Sequence, residues 1–449
     1  MSTNADVESL ISLISSSARV AAAEWQRTGT DVPPLSEAVT HPIDTATDVV
    51  ALQQALRTLE GACEHLTTLL SPPGSVIFRR TFNPDTHLLR IAVEHKVPDI
   101  LAKHPNGLSL TELSKIVNVP ELKLGQIMRG LATRHVFVEV NTDIFANNRL
   151  SHSIRSYLPN GLYALASRGL NETQSAGSNL YESLCDESCG PSFEAKDSPF
   201  MHMARKDGFE GNGVFGWLEA NPARRENYAI AMIGMGYSCG GLNVLHAFPW
   251  QNYTSVCDIG GSVGTVSMPL ARKYPHLRIT IQDREEVTQH TIDHWASNYP
   301  EAVAENRAHF VPIDFLTGAP VEGCDLYYMR FILHDWPQSD AQIIVNNVRK
   351  AMSPKSRLLI HDYMITPLDR KSGLVEAREH GIEPAPEPLL PNYGAGRARA
   401  HCMDIGMLLQ YNAKERSLTE FLELATNAGL KFEKHWDLAE TSMLEFSIA

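Results

Sequence analysis

From residue 251 onward, short apolar runs alternate with amphipathic stretches. TSVCDIG, LRITIQD, AHFVPID, DLYYMRFI and RLLIHDY have the length and composition of buried strands, and KFEKHW and MLEFSIA close the series. Helical patterns between them predict an α/β domain over 251–449 with a doubly wound, mainly parallel sheet. One stretch breaks the rhythm. EHGIEPAPEPLLPNYGAG is too rich in Pro and Gly for a regular element, and is expected as a surface loop near the mouth of a site.

Upstream, the period is helical. Val49, Leu52, Leu56, Leu59, Cys63, Leu66 and Leu70 recur at steps of three and four and draw one apolar stripe along a helix. A preceding helix, the Pro-rich DVPPLSEAVTHP and the closing Ser71-Pro72-Pro73-Gly74 make residues 1–75 an N-terminal helical extension. Its stripe needs cover, from the rest of the chain or from a second copy. Residues 76–170 follow as helix, helix, helix and hairpin. Ser109 and Glu112 form a capping box, and Leu124, Ile127, Met128 and Leu131 give the next helix its buried face. HVFVEV-NTD-IFANN supplies the hairpin, so the order is that of a winged helix. Residues 171–250 read as a helical, loop-rich linker, dense in Met and aromatic side chains that suit either plain core or the wall of a pocket for a flat ligand.

Composition narrows the function. A chain of 449 residues exceeds one ordinary core, and 43% hydrophobic residues can fill two or three. The net charge of −13 repels nucleic-acid backbones and anionic membranes. The candidate recognition helix PELKLGQIMRGL offers only Lys123 and Arg129 against Glu121, so the winged helix is expected to serve structure or dimerisation. A small-molecule substrate is the expected partner. The N-terminal segment is too polar for a secretory signal and no run of about 18 apolar residues occurs, so a soluble, cytoplasmic protein is expected. The seven cysteines are scattered and suit reduced thiols; Cys185 and Cys189 lack a second ligand pair at zinc-like spacing, and no metal is expected.

The chemistry gathers at strand ends. In Asp258-x-Gly260-Gly261-x-x-Gly264 the glycines allow a tight strand-to-helix turn and close approach of backbone to a ligand. The acid at the strand end, together with glycine spacing unlike G-x-G-x-x-G, suits a ligand with a positive centre and no phosphate. Asp283 ends the next strand about twenty residues on, where an acid can bridge ribose hydroxyls. Asp314 and Phe315 follow the third and fit an adenine amino group and ring face. Any one acid is more often a cap; three at successive strand ends are harder to dismiss. His334 then supplies acid–base chemistry, with Asp362 and Glu415 as carboxylates able to orient the ring and stabilise its protonated form.

On these motifs (VCDIGGSVG, IQD, PIDFL, MRFILHDW, LLIHDYM, MDIGML and NAKERSLTEFLELATNAGLKF) the chain resembles, over about residues 82–449, the plant- and fungal-type S-adenosylmethionine-dependent O-methyltransferases of the caffeic-acid and flavonoid class. Its N-terminal helices and Pro-rich loop are similar to the fungal secondary-metabolite branch. The resemblance implies a winged-helix dimerisation domain before a Rossmann-like catalytic domain. It assigns Gly260, Gly264, Asp283, Asp314, Phe315 and Arg330 to S-adenosyl-L-methionine, His334 to the catalytic base, Asp362 and Glu415 to its acidic brackets, and Met232 and Met407 to a clamp on the substrate ring. Three departures stand out. GGSVG lacks one glycine of the usual turn, tolerable if Ser262 needs no positive φ; Arg330 replaces a common lysine; and Asp362 is shorter than the usual glutamate.

The implied function is a homodimeric O-methyltransferase in which His334 removes a phenolic or enolic proton. Two alternatives remain: a family member that binds the cofactor without methyl transfer and steers a pericyclic or cyclisation reaction, and a DNA-binding regulator.

Overall fold

The computed structural model describes residues 3–370 and 375–449. Its centre is a seven-stranded sheet, here β1 (Ser255–Ile259), β2 (Arg278–Asp283), β3 (Ala308–Pro312), β4 (Leu326–Arg330), β5 (Arg357–Asp362), β6 (Leu430–Asp437) and β7 (Ser442–Ile448). The spatial order is β6-β7-β5-β4-β1-β2-β3. All neighbouring pairs run parallel except those made by β7, which is antiparallel to both β5 and β6. The chain builds outward from β1 in one direction and from β4 in the other, so the switch point falls between these two strands. That is where an open α/β sheet has a crevice for a ligand.

Alternate side chains of the central strands feed two cores. Cys257, Ile259, Tyr327 and Met329 point to the face covered by the helix Gln338–Ala351 through Ile344, Val345 and Val348. Val256, Leu326 and Tyr328 point to the other, against Trp250 and Trp295. Burial on both faces explains why these strands read as continuous apolar runs.

Residues 85–146 form helices Asp85–Glu94, Val97–Leu101, Leu110–Val117 and Glu121–Thr133 and a three-stranded wing of Leu108–Ser109, Ile144–Ala146 and Val138–Asn141. The predicted cap is present: the Ser109 hydroxyl accepts from the Glu112 N–H at 3.3 Å, and Ser109 Oγ donates to the Glu112 carboxylate at 2.5 Å.

The N-terminal helices α1 (Thr3–Arg27) and α2 (Val50–Leu70) differ from expectation at one point. Pro72 and Pro73 do not end the helical region, because Pro73 starts a new helix, Pro73–Thr81, in the first-turn position that tolerates proline. The cover over α2 comes largely from its own chain. Leu52 and Ala55 meet Ala21 and Ile43, whereas Ala62 joins Leu10, Ala385 and Leu389. Cys63 and Leu70, at the far end of the predicted stripe, are exposed.

The expected surface loop is therefore buried in part. Ala385, Leu389, Asn392 and Arg397 are nine-tenths or more covered, and they clamp α2 onto the sheet domain. Glycine at two positions permits the contact. A Cβ on Gly396 would lie 1.8 Å from the Arg57 carbonyl oxygen, and one on Gly61 would lie 2.2 Å from that of Tyr393. Arg57 itself donates to both carboxylate oxygens of Asp437 (3.2 and 2.9 Å) and to the Ala439 carbonyl (3.1 Å). Pro and Gly richness signalled irregular backbone correctly, but says nothing about exposure.

Candidate active site

The C-terminal ends of β1, β2, β4 and β5 converge at the switch point. β1 leads into the glycine turn, where Gly260 and Gly264 take φ of 71° and 80°. Gly261 stands over Asp258, and a Cβ there would lie 2.6 Å from the Asp258 carboxylate. Burial pushes the Asp258 carboxyl up to about 6, against the Ser267 hydroxyl that donates to it at 2.5 Å.

Ser262 does need a positive φ. It sits at +49°, left-handed backbone that costs a serine roughly 1–2 kcal/mol. The turn is held in place by its neighbours: the Ser262 N–H donates to Asp283 Oδ2 at 2.9 Å, and the Thr291 hydroxyl donates to the Ser262 carbonyl at 2.9 Å. Asp283 also accepts the Arg284 N–H at 2.8 Å, and each of its oxygens keeps a lone pair for another donor. Asp314 is exposed and caps its own turn, accepting from Leu316 N–H and the Thr317 hydroxyl, both at 3.0 Å. Phe315 meets Trp336 edge-on at 5.5 Å.

A second left-handed residue follows β4. Phe331, at φ +55°, lies nearly parallel to the His334 ring on one side (5.5 Å, 10°) and to Tyr363 on the other (5.5 Å, 8°), with the Arg330 guanidinium 4.4 Å from its centroid. Two non-glycine residues in this region, one on each side of the switch point, mark a place where the fold over-determines the backbone.

His334 is buried, and its Nδ1 donates to Glu415 Oε1 at 2.8 Å. Asp335 Oδ1 stands 3.7 Å from Nε2. Burial opposes the imidazolium, but the charges of Glu415, Asp335 and Asp362 outweigh it and hold the ring pKa up at about 10. Burial raises Asp362 in turn, helped by Glu415 and opposed by His334. Asp362 bonds neither ring nitrogen in this structure, so of the two expected brackets only Glu415 touches the ring.

Sequence reasoning passed over Arg416. Fully buried, it donates to the carbonyls of Leu333 and Trp336, the latter at 2.8 Å, and so grips the loop carrying His334 from both sides. Its neighbour Glu415 drew attention for its charge; the KER motif held both. Arg168 was also missed. It bonds Gln410 and lies 4.6 Å over the Tyr228 ring, whose hydroxyl pairs with that of Tyr411 at 2.9 Å. Met232 is half-buried, and Met407 is buried among Phe200, Met201 and Tyr411. Met403, one helical turn earlier on Ala398–Tyr411, joins that cluster to the one containing Phe331 and Tyr363.

Buried polar atoms without a partner among the described residues include Arg330 Nε, Asp362 Oδ1 and Glu415 Oε2, all at this edge. With Asp258, Asp283 and Asp335 nearby, the edge is rich in carboxylate and suits a ligand that carries a positive centre and polar donors.

The known proteins agree. 3-O-methyltransferase 2 of Phanerochaete chrysosporium is 36% identical over 449 residues, spanning 99% of this chain and 98% of that one. The chain belongs to the O-methyltransferase family. The profile of the O-methyltransferase domain matches residues 204–380. The solved structure of mitomycin 7-O-methyltransferase shares the fold (TM-score 0.63, 23% identity, 86% of this chain and 98% of that one), as does one described as a pericyclic reaction enzyme (TM-score 0.68, 21% identity, 88% and 95%). The chain is therefore an S-adenosylmethionine-dependent O-methyltransferase. The carboxylate-rich edge fits the sulfonium centre of that cofactor.

Proposed function

We propose that the enzyme methylates a phenolic or enolic hydroxyl, with His334 holding the proton that the oxygen must lose. The buried 2.8 Å contact between His334 Nδ1 and Glu415 carries this reading, since it fixes the ring and leaves Nε2 as the proton-exchanging atom. Asp283 would hold the ribose, Asp314 and Phe315 the adenine, the turn Asp258–Gly264 the amino-acid part, and Arg330 its carboxylate. Bound there, S-adenosylmethionine supplies an electrophilic methyl group. A phenol titrates near 10, so a ring held at about 10 shares the proton with it on nearly equal terms. Met232 and Met407, with Met403, would flank the substrate ring.

We assign residues 1–75 to the helical extension, 76–170 to a winged-helix dimerisation domain, 171–250 to the pocket linker and 251–449 to the catalytic domain. A homodimer is part of the proposal. Leu70, Ile77, Phe78 and Phe82 are 63–67% exposed on or beside a helix with no buried residue, an apolar patch that symmetric pairing would cover.

Incubation with S-adenosylmethionine and a panel of polyketide phenols, read by mass, tests the reading. Gain of one methyl by a phenol supports it. Rearranged product of unchanged mass, with S-adenosylmethionine intact, would replace it with the non-transferring alternative.

A further inference from the structure

Asp186, Cys189 and His202 stand apart from the chemistry described above. One carboxylate oxygen, the thiol sulfur and one imidazole nitrogen all lie within 4.8 Å of one another. Tetrahedral zinc, with bonds of about 2.0–2.3 Å, needs its ligand atoms roughly 3.3–3.8 Å apart, a distance that small side-chain rotations supply here. We propose that these three residues bind one divalent transition-metal ion of the zinc type, with water in the fourth position.

The three groups are prepared differently. The N–H groups of Ser188 and Cys189 (both 2.9 Å) and the Ser188 hydroxyl (2.6 Å) all donate to Asp186 Oδ1. They keep the carboxylate ionised, well below its usual range, and the Cys189 side chain acts on it in the same direction. Cys189 is buried, its sulfur 3.8 Å from the Ser188 hydroxyl and also in hydrogen-bonding reach of the Asp186 carboxylate. His202 rides on the helix Pro199–Lys206, whose start is pinned by Ser198 accepting the Met201 N–H at 3.3 Å. Its ring makes no hydrogen bond or ion pair among the described residues. A carboxylate, a thiol and an imidazole form a donor set that zinc accepts readily and that magnesium and calcium do not.

The ligands come from a turn and from a helix further along the chain, so the ion would tie the segment between them to the helix. Phe200 and Met201 of that helix pack in the same cluster as Met407. The ion would thus brace one wall of the pocket without touching the reacting atoms. Cys185, one residue before Asp186, is not part of the group, so no four-ligand cage is assembled here among the described residues.

The full chain, stripped with a chelator, should take up one Zn²⁺ per chain by calorimetry. Co²⁺ in its place should show a thiolate-to-cobalt charge-transfer band. Cys189→Ser should remove the band, and Cys189→Ser and His202→Asn should each weaken Zn²⁺ binding by at least about tenfold. Affinity should fall on acidification, because the thiol and the imidazole must both lose protons. Circular dichroism of each variant separates loss of the site from loss of fold, and His202→Asn, at a half-buried position, serves if Cys189→Ser unfolds. No stoichiometric uptake by the wild type, or uptake and a charge-transfer band unchanged in both variants, would overturn the proposal.

Discussion

The backbone N–H of Ser262 reaches the carboxylate of Asp283 at 2.9 Å from a left-handed conformation, joining the end of β1 to the end of β2 across the glycine turn. Strain at Ser262 and the position of Asp283 are thus one feature. Ser262→Gly should relieve the left-handed backbone at some cost in unfolded-chain entropy, leaving stability within about 1 kcal/mol of wild type. Ser262→Val, β-branched at the same φ, should lose roughly 1–2 kcal/mol. Urea unfolding midpoints read both, and a stable Val variant would mean the turn adopts another conformation in solution.

Asp283→Ala should weaken S-adenosylmethionine binding by roughly 1.5–3 kcal/mol, the scale for losing a charged hydrogen-bonding partner. Calorimetry checks it; unchanged affinity would remove the ribose assignment.

His334→Ala should lower turnover by roughly 10²- to 10⁴-fold while leaving cofactor affinity nearly intact. The pH profile is the finer test. With the ring pKa raised to about 10, His334 is protonated at neutral pH, and the reactive complex must lose one proton shared between ring and phenol. The logarithm of kcat/KM should therefore climb with a slope near one from about pH 7 to 9. Glu415→Gln removes the largest contribution holding the ring charged, so the rise should move to lower pH. A flat profile in the wild type would be incompatible with this role.

Arg416→Met keeps the bulk of the side chain and removes both grips on the loop of Leu333 to Trp336. Two carbonyls lose a charged donor, so stability should fall by about 2–4 kcal/mol and kcat more than KM. A variant as active as wild type would show that the loop holds itself.

Gly396→Ala places a methyl where the Arg57 carbonyl oxygen stands, and overpacking of this kind costs about 1–3 kcal/mol. Release of residues 1–75 should become the first event in limited proteolysis. Separately, Phe78→Asp should shift light scattering from dimer to monomer, and a wild type already monomeric would end the pairing proposal.

The strands were legible because burial on both faces leaves unbroken apolar runs in the sequence. The pairing of His334 with Glu415 was anticipated from their motifs, but the separation of Asp362 from the ring depends on side-chain direction, which sequence does not record. Ser262 misled for a local reason: a serine in a glycine's place reads as evidence against positive φ, when hydrogen bonds from outside the turn impose it. The segment 379–396 misled for a global one, since its cover comes from helices more than 300 residues earlier. Arg416 stayed hidden because a buried arginine gripping carbonyls looks, in sequence, like any surface cation.

Arg57 and Asp437 are 380 positions apart in the chain. A ribosome adding roughly 5–20 residues per second separates them by about 20 to 80 s. Throughout that interval α1 and α2 are already made, yet the hairpin of β6 and β7 that receives Arg57 does not exist. Their apolar faces meet each other first and water on the remaining side. Truncated or stalled chains therefore present an uncovered helix pair, open on the side that residues 385–396 and the Asp437 hairpin close in the finished enzyme.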